Sequence, residues 1–316
     1  MKTLLVGPYP PPHGGISVHV SGLEKRSLAA GVPVKVLNSN NANAKLVSRI
    51  VGHSLRGWTV HCHTNGHNLK SWLLAGICGT AGKTGAGAIL TLHSGMVPAW
   101  LKAASPKHRL LARLVCRTYA RIICVSAAIR DALAALGVPP GKLEMAEAYL
   151  GVAATGAAPE PQVLNWMKAH SPLLSTAVFF RPEYGFEGLL SALSKLRRQN
   201  PLIGCLVMGD GEHRAEAEQT IRAAGLERSV LLMGDVEHDV CVTLISRSDV
   251  FVRPTLEDGD SVSVREAVGL GVPVVASAVG TRPAAAILFP RGDASAMAQS
   301  IETALRSTGR TAEKYA

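Results

Sequence analysis

The chain has 316 residues, 47% hydrophobic and 18% charged, a balance that excludes a disordered polypeptide. This length exceeds one ordinary core and suits two α/β domains of similar size. Charge is uneven: residues 1–150 hold 17 Lys and Arg against 4 Asp and Glu, and residues 151–316 hold 16 against 19. A basic first half points to an anionic membrane surface, a charged acceptor or nucleic acid. Nucleic acid ranks last, because aromatic residues are 4% of the chain and few interleave with the basic ones. The six cysteines (Cys62, Cys78, Cys116, Cys124, Cys205, Cys241) lack C-x-x-C spacing and read as reduced, buried thiols of a cytoplasmic protein. The apolar run Leu4–Val6 is too short for a secretory leader before Pro8, Pro10, Pro11 and Pro12. No stretch is long and uninterrupted enough to span a bilayer.

In chain order, Leu4–Val6 reads as a strand that runs into a loop with Gly14 and Gly15. A helix over Ile16–Ala30 and a strand over Val34–Leu37 follow. Adjacent glycines before a helix let an anionic ligand approach the backbone; a tight strand-to-helix turn is the plainer account. Thr59–His63 reads as a strand, Asn65-Gly66 as a turn and Leu69–Ala75 as a helix. His61 and His63 share one strand face, but His67 lies beyond the turn and no carboxylate is near, so the three do not form a metal set. Gly79–Gly85 (GTAGKTG) fails the spacing of a phosphate loop and reads as an exposed loop. Ala88–Leu92 forms a strand ending in His93-Ser94-Gly95. Trp100–Ile123 is a basic helical stretch with a stripe of Leu110, Leu111, Leu114 and Val115. Such a stripe packs on its own sheet or lies on an anionic membrane. Ile122–Val125 is a strand, and Ser126 caps a helix over Ala127–Leu136.

The small, proline-bearing segment after residue 150 marks a boundary. It gives a first domain over 1–155, a linker over 156–173 and a second domain over 174–316. There, Ala177–Phe180 reads as a strand, Arg181–Phe186 as a loop and Glu187–Gln199 as a helix. Cys205–Met208 meets a turn at Gly209 and Gly211, and Val230–Met233 meets Gly234. Val250–Val252 is a buried strand before an acidic loop of Glu257, Asp258, Gly259, Asp260 and Ser261. A helix bearing Glu266 and a strand over Val274–Ala276 complete the unit. The loop sits where parallel sheets bind ligands. Its N–H groups at a helix N-terminus suit anionic oxygen, and its acids accept hydroxyls. Together these are what a nucleotide-sugar requires. The final segment, Asp293–Arg306, is helical and is placed back over the first domain.

An acid, seven residues and a Glu, here Asp258 and Glu266, precede AVGLGVPVVAS. With PPHGGI at the start, TLHSG at His93 and Arg181 after the first strand of the second domain, the chain resembles the retaining glycosyltransferases of family 4. The resemblance implies the GT-B fold, with two Rossmann-like parallel-sheet domains facing an interdomain cleft. It implies transfer of a sugar with retention, from a UDP-sugar first and GDP-mannose second, to a saccharide, lipid-linked or small-molecule acceptor. Catalytic roles fall on His93, Asp258 and Arg181. Donor contacts fall on Gly14, Gly15, Tyr184, Gly209, Gly211, Gly234, Glu257, Gly259, Asp260, Ser261 and Glu266. The family usually has Glu at the position of Asp258, and Glu257 next door leaves that assignment open. It normally has Lys where Tyr184 stands, so the diphosphate needs another cation, with Arg253, Arg265 or the glycine loop as candidates. No cofactor and no metal ion are implied, although Asp258-Gly259-Asp260 also fits a cation-binding D-x-D pattern. A nucleotide-sugar epimerase of the same fold and a non-catalytic sugar- or nucleotide-binding protein are the alternatives. The expected location is cytoplasmic, with the basic half against the inner membrane face.

Overall fold

The computed structural model describes residues 2–41, 43–147, 151 and 156–308. The chain divides into two compact units, Met1–Leu150 with Asp258–Asp260, and Gly151–Glu257 with Ser261–Ala316. The domain limits expected near residue 155 fall on residues outside those described.

The first unit alternates β1 (Thr3–Gly7), α1 (Gly15–Ala29), β2 (Val34–Asn38), α2 (Ala44–Ser54), β3 (Thr59–Thr64) and α3 (Leu69–Gly82). It continues through β4 (Ala88–Leu92), α4 (Val97–Ala103), α5 (Pro106–Thr118), β5 (Arg121–Cys124), α6 (Ala127–Ala135) and β6 (Leu143–Met145). The strands pair in parallel in the order β2-β1-β3-β4-β5-β6. The order reverses between β1 and β3, so the carboxyl ends of those strands flank a switch point, where open sheets bind ligands. Gly7 ends β1 there because a Cβ would lie 2.9 Å from the Cβ of His63.

Three local readings are corrected. Gly79–Gly82 is not an exposed loop but the last turn of α3. Both glycines are buried, and a Cβ on Gly79 would strike the Thr118 hydroxyl; the glycines let α3 lie close against its neighbours. The basic stretch is not one helix: it breaks at Ser105, whose hydroxyl accepts the His108 N–H, with Pro106 opening α5. Nor does its whole stripe face the sheet. Ala112, Val115 and Cys116 are buried, whereas Leu110 and Leu114 are exposed.

In the second unit, α7 (Pro161–Lys168) precedes β7 (Leu173–Ala177), α8 (Phe186–Gln199), β8 (Gly204–Met208), α9 (Arg214–Ala223) and β9 (Val230–Gly234). Then come α10 (His238–Ser246), β10 (Val250–Arg253), α11 (Val262–Gly269), β11 (Val274–Ser277), β12 (Ile287–Phe289) and α12 (Ala294–Thr308). Its sheet is also parallel, ordered β12-β11-β10-β7-β8-β9, with the reversal between β7 and β10. Strands covered on both faces read as continuous apolar runs, and β8 and β10 are buried throughout.

The expected linker contains α7, whose Val163 and Met167 join this unit's core. The strand placed over Ala177–Phe180 lies earlier, over Leu173–Ala177, anchored where the Asp249 carboxylate accepts the Leu173 N–H at 2.7 Å. Val178 and Phe180 are buried as loop residues instead. Helix α12 packs on α8, β11 and β12 of its own unit, burying Met297, Ala298, Ile301 and Ala304 in the same core as α8. Its apolar stripe is therefore spent within that unit.

Candidate functional site

In the second unit, the loops after β7 and β10 flank the switch point and are laced together. The Leu256 N–H donates to the Glu183 carbonyl at 2.8 Å, and the Glu257 N–H to the same carbonyl at 3.4 Å. Gly185 makes the approach feasible. Its φ is +67° and a Cβ would strike the Pro254 carbonyl, so only glycine fits without strain. Tyr184, held in this loop, has the Arg253 guanidinium 5.3 Å from its ring centroid. Arg253 Nη1 also donates to the Ala177 carbonyl at 2.6 Å, and the residue is buried. A cation thus stands beside the tyrosine. Arg181 lies on the same loop, half-exposed, with Nε 3.5 Å from Glu212 Oε1.

The glycines expected at the base-binding edge come together. Gly209 donates its N–H to the Gly234 carbonyl at 2.7 Å, and Gly211 packs against the Phe180 backbone. Gly209 has φ +120° and the Val178 carbonyl against its α carbon, so turn geometry alone accounts for that glycine.

Ser261 caps α11 by accepting the Val264 N–H, and Asp258 Oδ1 accepts the Gly259 N–H at 3.1 Å. Asp260 and Ser261 are buried. Glu257 is paired with Arg291, at 2.7 Å. Glu266 is buried, and its Oε1 lies 2.6 Å from His238 Nε2. Sequence reasoning missed His238. It stands on α10, 28 residues before Glu266, and nothing in its local pattern marks it.

In the first unit, Gly14 caps α1, and its N–H donates to the Ser17 hydroxyl at 2.9 Å. Gly14 has φ −106°, Gly15 is not among the positive-φ glycines, and a Cβ on Gly15 would meet nothing within 4 Å. A tight turn therefore does not demand the pair, which weakens the plain reading of these glycines.

His93, at the end of β4, joins a histidine cluster. Its Nε2 lies 3.2 Å from Nδ1 of His63 on β3, and His19 of α1 packs against both rings. His61 stacks on His63 at 4.0 Å and its Nε2 lies 2.8 Å from the Thr91 hydroxyl. His67 is instead turned to Ser94, 2.8 Å away. Sequence reading placed His61 and His63 on one face but missed His19, which only the packing of α1 brings in.

Burial pushes His61 down to about 3, assisted by His19 and Arg121. Burial likewise holds His63 and His93 well below the usual imidazole value, with His61 and His19 acting on both and His93 adding to the effect on His63. All three are neutral at pH 7. In the unfolded chain each would titrate near 6.5, so protonation favours unfolding. Stability should be full above about pH 6.5 and fall toward pH 3, by up to about 1.4 kcal/mol per pH unit for each histidine. Urea melts at pH 7, 6 and 5 check this; a flat profile would contradict it.

The cysteines are free thiols, all but Cys241 buried. Burial raises Cys116, Cys124 and Cys205 to about 12, so they serve as apolar packing rather than as nucleophiles. No helix among the described residues is long and apolar enough to cross a membrane.

Two parallel six-stranded α/β units with candidate residues at both switch points define the GT-B class. Residues 172–307 match the family described as Glycosyl transferases group 1, and residues 59–146 match Glycosyltransferase Family 4. Over these two stretches the chain is similar to these glycosyltransferases. It is 30% identical over 110 residues to the 2-deoxystreptamine N-acetyl-D-glucosaminyltransferase of Streptomyces fradiae, a match covering 33% of this chain. It is 26% identical over 118 residues to the phosphatidylinositol N-acetylglucosaminyltransferase gpi3 subunit of Schizosaccharomyces pombe, covering 37% of this chain. The chain spans 26% of the length of each relative. Among solved structures, Anabaena HepE in complex with UDP and glucose is similar at a TM-score of 0.75 and 17% identity. The sucrose-phosphate synthase of Thermosynechococcus elongatus follows at 0.72 and 18%. Both cover 100% of this chain and 93% of their own; at such identities the likeness speaks for the fold.

Proposed function

We propose that the protein is a retaining, metal-independent glycosyltransferase that takes a sugar from a nucleoside-diphosphate donor, UDP-linked in first place and GDP-mannose in second. The observation that carries the reading is the switch point of the second unit, where Arg181 and Arg253 stand on the two flanking elements and an acidic loop opens α11. The cations neutralise the departing diphosphate, guanidinium being the fork that fits phosphate oxygens. Asp258, whose Oδ1 holds the Gly259 N–H, accepts from sugar hydroxyls, with Asp260 and Ser261 beside it. Glu266, oriented by His238, accepts from the ribose, since a carboxylate held at one oxygen can still accept at the other. On the first unit, Gly14 and Gly15 let the donor approach the backbone at the start of α1, and His93 takes the sugar-facing role. As the diphosphate leaves, positive charge develops at the anomeric carbon and the acceptor attacks from the leaving-group face.

A thermal-shift screen of nucleoside diphosphates, with and without chelator, tests this. Saturation at about 100 times Kd should stabilise the fold by about 2.7 kcal/mol, with UDP above GDP and no effect of chelator. Stabilisation by no nucleoside diphosphate would end the reading. Binding without transfer of label to any acceptor would favour a non-catalytic binding protein, and conversion of the free donor to its epimer would favour an epimerase.

A lipid-linked acceptor at an anionic surface is supported by α5 and its neighbours. Exposed Leu110 and Leu114 lie among Lys107, Arg109, Arg113 and Arg117. A cavity of about 480 Å³ lies nearby, lined mainly by apolar residues including Val51, Trp72, Leu73, Ile77 and Leu111. Each basic residue near such a surface contributes about 1 kcal/mol. Sedimentation should show binding to phosphatidylserine vesicles that fades with salt. Equal binding to neutral vesicles would argue against the membrane role.

A further inference from the structure

The histidine cluster of the first unit has a geometry that the sugar-facing role of His93 does not require. His19, His63 and His93 each present one ring nitrogen, and the three lie within 4.8 Å of one another. They come from α1, β3 and the residue after β4, at the carboxyl edge of the sheet beside the switch point. Imidazole nitrogens sit about 2.0–2.1 Å from zinc, so two on one tetrahedral ion are roughly 3.3 Å apart and their ring centroids roughly 5 Å apart. The His63 and His93 nitrogens are 3.2 Å apart. The three centroid separations are 5.4, 5.1 and 5.5 Å. The 3.2 Å pair also makes a hydrogen bond between two neutral imidazoles, and the third nitrogen, within 4.8 Å of both, completes the set of three.

A second observation is independent of that spacing. His63 is fully buried, and its Nε2 has no hydrogen-bond partner among the described residues. Nδ1 is the nitrogen that faces His93; turning the ring about its Cβ–Cγ bond would offer Nε2 to the centre instead, at the cost of that 3.2 Å spacing. The donor set is three imidazoles with no carboxylate. That suits zinc, cobalt, nickel or copper, and not the oxygen-seeking magnesium or calcium. Three protein ligands leave a fourth position for water or a substrate oxygen.

We propose that His19, His63 and His93 form a binding site for one divalent transition-metal ion of the zinc class, and that its occupancy blocks donor-sugar contact at His93. The site stands on its own geometry; the blocking rests on the donor reading given above. The ion is an inhibitor here, and group transfer proceeds without it.

Tag-free protein, stripped with chelator, is titrated with Co²⁺ and then with Zn²⁺. One equivalent of Co²⁺ should give the visible bands of a four- or five-coordinate ion, displaced by one equivalent of Zn²⁺. This measurement on the unaltered chain needs no variant to fold. His19→Gln should weaken Co²⁺ binding roughly 100-fold, and His213→Gln, on the exposed start of the second unit's α9, should leave it unchanged. No bands, or bands lost only with His213→Gln, would overturn the site. Transfer, once a donor is found, should fall as Zn²⁺ fills the site; full activity at saturating Zn²⁺ would overturn the blocking. Failure of every donor would count against the glycosyltransferase reading, and the cobalt spectrum would still decide the site.

Discussion

Replacing Arg253 with methionine should lower sugar transfer by about two to three orders of magnitude, more than the same change at Arg181. The reason is burial. Arg253 is 9% exposed and fixed by its bond to the Ala177 carbonyl, whereas half of the Arg181 side chain meets solvent. A fixed cation in a low-dielectric setting stabilises developing charge far more than a mobile, screened one. A preorganised group of that kind accounts for about 3–4 kcal/mol of barrier. Tyr184→Lys provides the sharper check. If the missing family lysine leaves a true deficit, restoring it should raise activity. If Arg253 fills the role, a second cation in place of the ring that Arg253 faces should repel it, and activity should fall. Steady-state kinetics on Arg253→Met, Arg181→Met and Tyr184→Lys decide the matter. A tenfold gain in Tyr184→Lys would remove Arg253 from the mechanism.

Truncating His238 to alanine should destabilise the second unit by about 2–3 kcal/mol, because the buried Glu266 carboxylate loses its partner. The contact is 2.6 Å and the Glu266 side chain is only 6% exposed. Nucleoside-diphosphate affinity should fall with stability, since the carboxylate is no longer held. Glu266→Gln separates the two effects. It keeps the volume and a hydrogen bond to His238, so stability should change by less than about 1 kcal/mol, while loss of a charged acceptor should weaken nucleotide binding about tenfold. Denaturant melts and calorimetric titration of both variants test this. Unchanged affinity in Glu266→Gln would take the ribose role away from Glu266.

Much of the fold was legible because hydrophobic runs of four or five residues alternate with helical patterns, and each stop carries its own punctuation. The Ser126 cap, the Gly31 stop and the strand at Val274 all fall where local chemistry put them. The failures were also local in kind. Gly79 and Gly82 looked like a loop because glycine disfavours helix interiors, and only contact with Thr118 and Ala88 explains them. Val178 and Phe180 looked like a strand because loop residues that fill a core are as apolar as strand residues.

The candidate site divides along the same line. Sequence alone placed Gly14, His93 and the acidic loop beyond the ends of buried strands; Arg181 lies further beyond its strand than the sequence placed it. What surrounds those positions was decided by the tertiary structure. Arg253 stands beside Tyr184 because β10 neighbours β7 at the order reversal. Glu257 is taken up by Arg291, His238 meets Glu266 because α10 packs on α11, and His19 reaches His63 because α1 crosses the end of β3. Spacing along a chain fixes which face a side chain occupies; which residues share that face from distant elements depends on strand order and helix packing, and no local pattern encodes either.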